Sequence, residues 1–333
     1  MSRTCLYFKQ EPETDRWLPG DRFFRPLIRQ VIRGKPKYIS GVDRIFVNLC
    51  TGLDRLDVRY EINLPFSKLK DDDRVGVMGR GRHVLACYDR PNVIVAGPYL
   101  MTHPSEWPTL CQDFRVGKYL QHCEWANDIY KPYFGERCTV WAHGVDTGKW
   151  APSPQKKDLD VLLYDKVRWD REKLEPTLIQ PIREALQRRS LKFAEIRYGF
   201  YNEDEYRNLL ARTRAMVFLV EHESQGSACQ ECLSCDVPIL AWDQGWYRDP
   251  ARLQWGGEPD IPVSSVPYFD ARCGRTFKSC LDFEGQLDCF WQSVKEGELR
   301  PREFVLENLT LEKCARDYLR ILEESVAVSP AAK

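Results

Sequence analysis

The 333-residue chain has no run of about 18 apolar residues, so nothing in it reads as a membrane-spanning helix. It has no excess of charge of either sign, with 49 Lys and Arg against 49 Asp and Glu. That absence argues against a dedicated nucleic-acid binder, which carries a net basic field. The opening MSRTCLYFKQEPETDRW lacks the apolar core of an export signal, so the expectation is a cytoplasmic protein. There is no internal repeat and no low-complexity stretch. The residues after the first apolar run are Lys9-Gln-Glu-Pro12 rather than G-x-G-x-x-G, which argues against a nicotinamide-dependent oxidoreductase. Without an export signal, the 13 cysteines read as reduced thiols, and their odd number disfavours full pairing into disulfides.

What is present suits a globular chain with a substantial core: 43% hydrophobic and 29% charged residues. At roughly 150 residues per domain, the length suggests about two domains. In the first half, residues 4–8, 92–98, 118–123 and 137–146 read as strands, and residues 23–34, 45–56 and 124–135 as helices. TGKWAPSPQKKD (147–158), with its prolines and charge cluster, has the composition of a linker. Beyond it, strands at 159–164, 191–199, 215–221 and 237–243 alternate with helices at 171–190, 203–213 and 224–235. This β-α alternation calls for a parallel sheet with right-handed crossovers. Residues 309–325 form an amphipathic terminal helix. The expected architecture is α/β, two Rossmann-like lobes with an interlobe cleft. Its domains are 1–150 on the acceptor side, 151–310 as the nucleotide-sugar-binding lobe, and 311–333 as a helix crossing back to the N lobe, with a tail.

The most informative stretch runs from Glu223-Ser-Gln-Gly-Ser-Ala-Cys-Gln to Glu231 and on through Cys-Leu-Ser-Cys-Asp-Val-Pro-Ile. Its first glutamate ends a strand; its second lies two helical turns on, so one elongated ligand can meet both. Gly226 and Ser227 sit at the helix start, where backbone N–H groups and the helix dipole favour a phosphate. Sugar hydroxyls on one carboxylate, phosphates at the helix start and ribose hydroxyls on the other carboxylate describe a nucleotide-sugar. The plain alternative is a solvated helix face.

This segment resembles the E-x7-E region of retaining GT-B glycosyltransferases of the family-4 type. Gln225 stands for that pattern's aromatic residue, and Asp236 for its helix-ending glycine. Val140-Trp-Ala-His143-Gly144-Val145-Asp146-Thr147, with Trp150, resembles the family's domain-junction segment, where His143 replaces Asn. Leu162-Leu-Tyr-Asp-Lys166, followed by Arg171, resembles the turn that opens the second lobe, with Asp165 in place of a glycine. Together these matches span about residues 118–245; residues 1–117 match weakly, and Gly41 or Gly52 is a candidate for the N-lobe glycine loop.

The resemblance implies transfer of a hexosyl-type sugar from a nucleotide-sugar donor to an acceptor hydroxyl, with retained configuration. The acceptor would be a carbohydrate, a lipid-linked group or a small molecule. Glu223 and His103 would be catalytic; Lys166, Arg171, Ser224, Gly226, Ser227 and Glu231 would hold the donor. No metal and no cofactor would be needed, the nucleotide-diphosphate sugar being the co-substrate. Two alternatives stay open: a nucleotide-sugar epimerase of the same architecture, and a non-catalytic sugar-binding subunit.

Other candidates have bland readings. Lys166 and Arg171 also fit an exposed turn, His103 a structural loop, and His143 a cap of the interlobe turn. His222 is expected to point away from the site. Asp71-Asp-Asp73 has the D-x-D spacing of a metal site but reads as a solvated turn. Cys229, Cys232 and Cys235 have ligand-like spacing, yet no fourth ligand matches them, and packing is the reading taken. The basic stretch from Arg22 to Lys37 suits either peripheral contact with an anionic membrane, at the inner face, or an ordinary helix face.

Overall fold

A computed structural model describes residues 2–9, 41–256 and 261–327. The expected helix at 23–34 and the basic stretch Arg22 to Lys37 lie outside the described residues. The chain divides into two compact units. The first comprises residues 1–121, 130–139 and 316–333; the second comprises 122–129 and 140–315.

In the first unit, β1 (Thr4–Lys9), β2 (Tyr60–Ile62), β3 (Arg74–Gly79), β4 (Ile94–Ala96), β5 (Val116–Gln121) and β6 (Cys138–Val140) form one sheet in the order β2-β1-β3-β4-β5-β6. Pairing is parallel from β2 through β5. Helix α1 (Gly41–Arg55) buries Val42, Ile45, Phe46, Leu49 and Leu53, a spacing that puts all five on one face. Gly41 and Gly52, candidates for a glycine loop, are instead the first residue and a buried interior position of this helix. Helix α2 (Glu124–Phe134) follows β5. The solvated-turn reading of Asp71–Asp73 needs correcting at its last residue. Asp73 is buried, accepts the Lys70 N–H at 2.8 Å and is ion-paired with Arg3 at 2.5 Å.

In the second unit, β7 (Leu159–Asp165), β8 (Phe193–Arg197), β9 (Thr213–Leu219), β10 (Ile239–Trp242) and β11 (Gly274–Phe277) form a parallel sheet in the order β11-β10-β9-β7-β8. Side chains alternate between its faces. Leu162, Tyr164, Met216, Phe218, Ile239 and Ala241 enter one core cluster; Val161, Leu163, Ala215, Val217, Leu240 and Trp242 enter the other. Both faces are covered, which is why these strands read as continuous apolar runs. The expected helix at 171–190 carries Pro176 and Pro181, each without a backbone donor. The chain answers with a turn at Arg171–Leu174, a wider π turn at Glu175–Ile179, and then regular helix α3 (Gln180–Arg188). Helices α4 (Glu203–Arg212) and α5 (Ser227–Ser234) follow β8 and β9. Helices α6 (Cys280–Glu296), α7 (Pro301–Asn308) and α8 (Leu311–Ala327) close the described chain. No described helix is long and apolar enough to cross a membrane.

Gly76 of β3 meets Tyr318 of α8 within the first unit: a methyl at Gly76 would lie 2.0 Å from the Tyr318 oxygen. Gly76→Ala is therefore expected to cost about 1–3 kcal/mol by overpacking. Adding Tyr318→Phe, which removes the clashing atom, should recover part of that loss in a denaturant melt. An unchanged midpoint in the single variant would contradict this packing.

Candidate functional site

The strand order reverses between β7 and β9. From β7 the chain steps outward to β8; from β9 it steps the other way to β10 and β11. At such a switch point the crossovers diverge, leaving a crevice at the carboxyl ends of the strands. Asp165 of β7 and Leu219 of β9 are register partners there. Just beyond them come Lys166 and the segment Val220–Glu223, and the Lys166 N–H still donates to the Leu219 carbonyl at 2.7 Å.

Lys166 and Glu223 meet across this gap, the ammonium donating to Glu223 Oε1. Their side chains are 13% and 12% exposed, so the pair is largely withdrawn from water yet reachable. Lys166 also lies over the ring of Tyr198, 4.4 Å from its centre. Removing one member of so enclosed a pair leaves the other charge uncompensated, a strongly unfavourable state.

The Glu223 backbone is held from two sides. Its N–H donates to the Ser264 carbonyl at 3.1 Å, and its carbonyl accepts from Trp125 Nε1 at 3.1 Å. Asp243, just past β10, fixes the Ser264 segment by accepting from Ser264 Oγ and the Ser265 N–H, both at 2.9 Å.

Gly226 immediately precedes helix α5 as its N-cap, and its φ of +77° is left-handed. A Cβ there would make only ordinary contacts, the nearest at 3.5 Å. Glycine is required by the backbone angle, not by crowding. It brings no side chain to cap the helix, and first-turn N–H groups at a helix start are of the kind that can meet a phosphate. Glu231 sits on the second turn, buried. The Tyr164 phenol, pushed well up by burial and then by Tyr201, also feels the charge of both Glu223 and Glu231. At the far end of α5, Asp236 adopts φ +59°, the left-handed turn expected of it in place of glycine.

Arg171 is placed differently from Lys166. Its guanidinium grips buried Asp165 through two bonds, at 3.0 and 2.6 Å, and Glu175 at 2.9 Å. It braces the turn after β7. The cause is Asp165 itself: a glycine there would offer no carboxylate, whereas this one also accepts the Val167 N–H at 3.0 Å. His103, in the first unit, is buried and caps a short 3-10 turn, its Nδ1 accepting from the Ser105 N–H at 3.2 Å. Cys229, Cys232 and Cys235 lie in the core cluster, and burial pushes all three thiols up, that of Cys235 to about 12. Among the described residues no three His, Cys, Asp or Glu side chains are grouped to hold a metal ion.

Sequence reasoning missed Glu221 and the ring column beside it. Glu221 Oε1 accepts the Arg168 and Trp169 N–H groups at 2.8 and 2.9 Å, tying the turn after β7 to the end of β9. Burial raises its pKa against the pull of these amides. His222 stacks between Trp169 and Tyr247, at 5.3 and 4.6 Å, with Trp125 edge-on at 5.4 Å. Arg168 covers the outer face of the column at 4.0 Å from Trp169, and Arg252 approaches Tyr247 at 5.6 Å. The signal was the doubled acid Glu221-His-Glu223 at a strand's carboxyl end.

Burial, and then Arg168, push the His222 pKa down to about 3. In the unfolded chain it is near 6.5. Between these values only the unfolded chain takes up the proton, so stability falls as pH drops below about 6.5. His222→Phe keeps a ring in the column without the titration. Urea melts at pH 7 and pH 5 should show the variant losing about 2 kcal/mol less than the parent. Equal losses would contradict a buried, neutral His222.

No protein-family model and no curated protein matches the chain. Among solved structures it is similar to AviGT4, a glycosyltransferase involved in avilamycin A biosynthesis, at 13% identity over 99% of each chain, with a TM-score of 0.56. It is similar to the lipopolysaccharide outer core galactosyltransferase WaaB at 10% identity, over 97% of this chain and 99% of that one, with a TM-score of 0.52. A third is S. aureus TarM, in a mutant form in complex with fondaparinux, alpha-GlcNAc-glycerol and UDP. The identity is 11% over 84% of this chain and 58% of that one, with a TM-score of 0.52. Likeness at such identities is likeness of fold, and the chain has the GT-B fold of glycosyltransferases, built from two Rossmann-like α/β units.

Proposed function

We propose that the protein is a retaining glycosyltransferase that moves a hexosyl group from a nucleotide-sugar to an acceptor hydroxyl. The observation that carries this reading is the placement of Glu223 and Glu231 on either side of a helix start without a side-chain cap, at a sheet switch point. Glu223 would hold sugar hydroxyls and Glu231 the ribose. The amides after Gly226, with Ser224 and Ser227, would take the diphosphate. As the sugar's bond to the diphosphate breaks and the acceptor oxygen's bond forms, charge builds on the leaving group. Lys166 and the helix dipole would stabilise that charge without a metal ion.

Arg171 enters this reading as the brace of the turn, because Asp165 and Glu175 already occupy its guanidinium. His103 is retained as the first unit's contribution to catalysis on the strength of the family resemblance. The UDP in the TarM structure supports a nucleotide donor. The acceptor class is a carbohydrate, lipid-linked group or small molecule.

Two measurements test the reading. A ligand that binds only the folded chain raises its melting temperature, so one of UDP-, GDP- or ADP-glucose should do so for the parent. Glu223→Gln and Glu231→Ala should then abolish transfer, by 100-fold or more, while circular dichroism shows the fold intact. Normal turnover by both variants would refute the site. Conversion of the donor without an acceptor would favour an epimerase, and binding without any reaction a sugar-binding subunit.

A further inference from the structure

The ion pair between Lys166 and Glu223 joins two groups to which the donor reading gives separate tasks. Lys166 is to meet the departing diphosphate, and Glu223 is to meet hexose hydroxyls. In the structure each meets the other, the ammonium donating to Glu223 Oε1. Side-chain exposures of 13% and 12% leave water little access to either charge. A charge parted from its partner in such surroundings is poorly compensated unless a new group arrives.

The backbone is not free to draw the pair apart. The Lys166 N–H donates to the Leu219 carbonyl at 2.7 Å. The turn that follows is held by Glu221 Oε1, which accepts the Arg168 and Trp169 N–H groups at 2.8 and 2.9 Å. On the other side, the Glu223 N–H donates to the Ser264 carbonyl at 3.1 Å, and the Glu223 carbonyl accepts from Trp125 Nε1 at 3.1 Å. The pair therefore opens by rotation of the two side chains.

The partners fare differently when it opens. Lys166 keeps an attractive surface, the face of Tyr198, 4.4 Å from the ammonium. Among the described residues no second cation pairs with Glu223. Its carboxylate then depends on what the ligand brings.

We propose that the Lys166–Glu223 pair is a specificity device that makes the site favour a nucleotide-sugar over the bare nucleotide diphosphate. The proposal rests on the nucleotide-sugar reading of this site. A nucleotide-sugar brings both replacement partners at once: phosphate oxygens accept from Lys166, and hexose hydroxyls donate to Glu223. A bare diphosphate draws Lys166 away and brings no hexose hydroxyl to Glu223. Its terminal phosphate only accepts, as the carboxylate does, and it adds negative charge to the same crevice. Once the hexosyl group has passed to the acceptor, Lys166 returns to Glu223 and the spent nucleotide is released. The exchange moves one ion pair and its hydrogen bonds, and no covalent bond changes in it.

The test is isothermal titration of the full chain with three couples: UDP and UDP-glucose, GDP and GDP-glucose, ADP and ADP-glucose. In the couple that binds best, the sugar-bearing member should bind the parent about tenfold more tightly than the bare nucleotide. Glu223→Gln keeps the size of the side chain and leaves Lys166 to the anion. The bare nucleotide should then bind about tenfold more tightly than it binds the parent, and the preference for the sugar should be lost. In a Lys166→Met background the same change should alter nucleotide affinity by less than about threefold, because no pair is left to break. Circular dichroism checks the fold of each variant. The parent's own preference needs no variant, so it decides the matter should Glu223→Gln fail to fold. A parent that binds the bare nucleotide as tightly as its sugar-bearing form would overturn the proposal and leave the site reading standing. So would a gain from Glu223→Gln that is equal in both backgrounds. Failure of the parent to bind any of these ligands would overturn the site reading, and the proposal with it.

Discussion

The reversal of strand order between β7 and β9 is the constraint on which the second unit's site depends. Parallel strands need crossovers, and right-handed crossovers from adjacent strands that step in opposite directions must leave the sheet on opposite faces. No helix can then cover the carboxyl ends of β7 and β9. Residues just past those ends escape the apolar environment that both faces of the sheet impose. Lys166 and Glu223 occupy those positions, and a cation and an anion can coexist there because each compensates the other where water is scarce.

Rigidity around this gap comes from groups that no ligand need touch. Glu221 ties the two sides together through backbone amides, and Asp243 fixes the Ser264 carbonyl that receives the Glu223 N–H. The rings of Trp169, His222 and Tyr247 form a column at the residue next to Glu223, with guanidinium groups toward both ends. Stacked rings carry few rotatable bonds, so they hold geometry at low entropic cost. The proposed transfer needs its charges fixed before the leaving group's charge appears, because reorganisation during reaction would raise the barrier.

Much of the second unit was legible because its strands are buried on both faces and its turns carry Pro, Gly or Asp. Asp236 turned left-handed as its tolerance of that region allows, and the cysteines of α5 proved to be core. Other features were hidden for physical reasons. Strand β3, Arg74–Gly79, is broken in pattern by Gly76 and Gly79, which admit the Tyr318 ring and the Lys9 backbone. Arg171 looked like a cation for phosphate, yet its state depends on Asp165 six residues away folding back on it. Asp73 looked solvated because its partner, Arg3, lies 70 positions earlier in the chain. His222 looked turned away from the site, and its ring does pack into the column, but from there it supports the segment that carries Glu223. In each case the deciding interaction is tertiary, and a local reading cannot contain it.

The most direct test of the central claim is a crystal structure of the chain with the nucleotide-glucose that stabilises it. The account predicts diphosphate oxygens within hydrogen-bond distance of the amides of Ser227 and Ala228, ribose hydroxyls on Glu231 and hexose hydroxyls on Glu223. A donor seated elsewhere, with both carboxylates untouched, would contradict it.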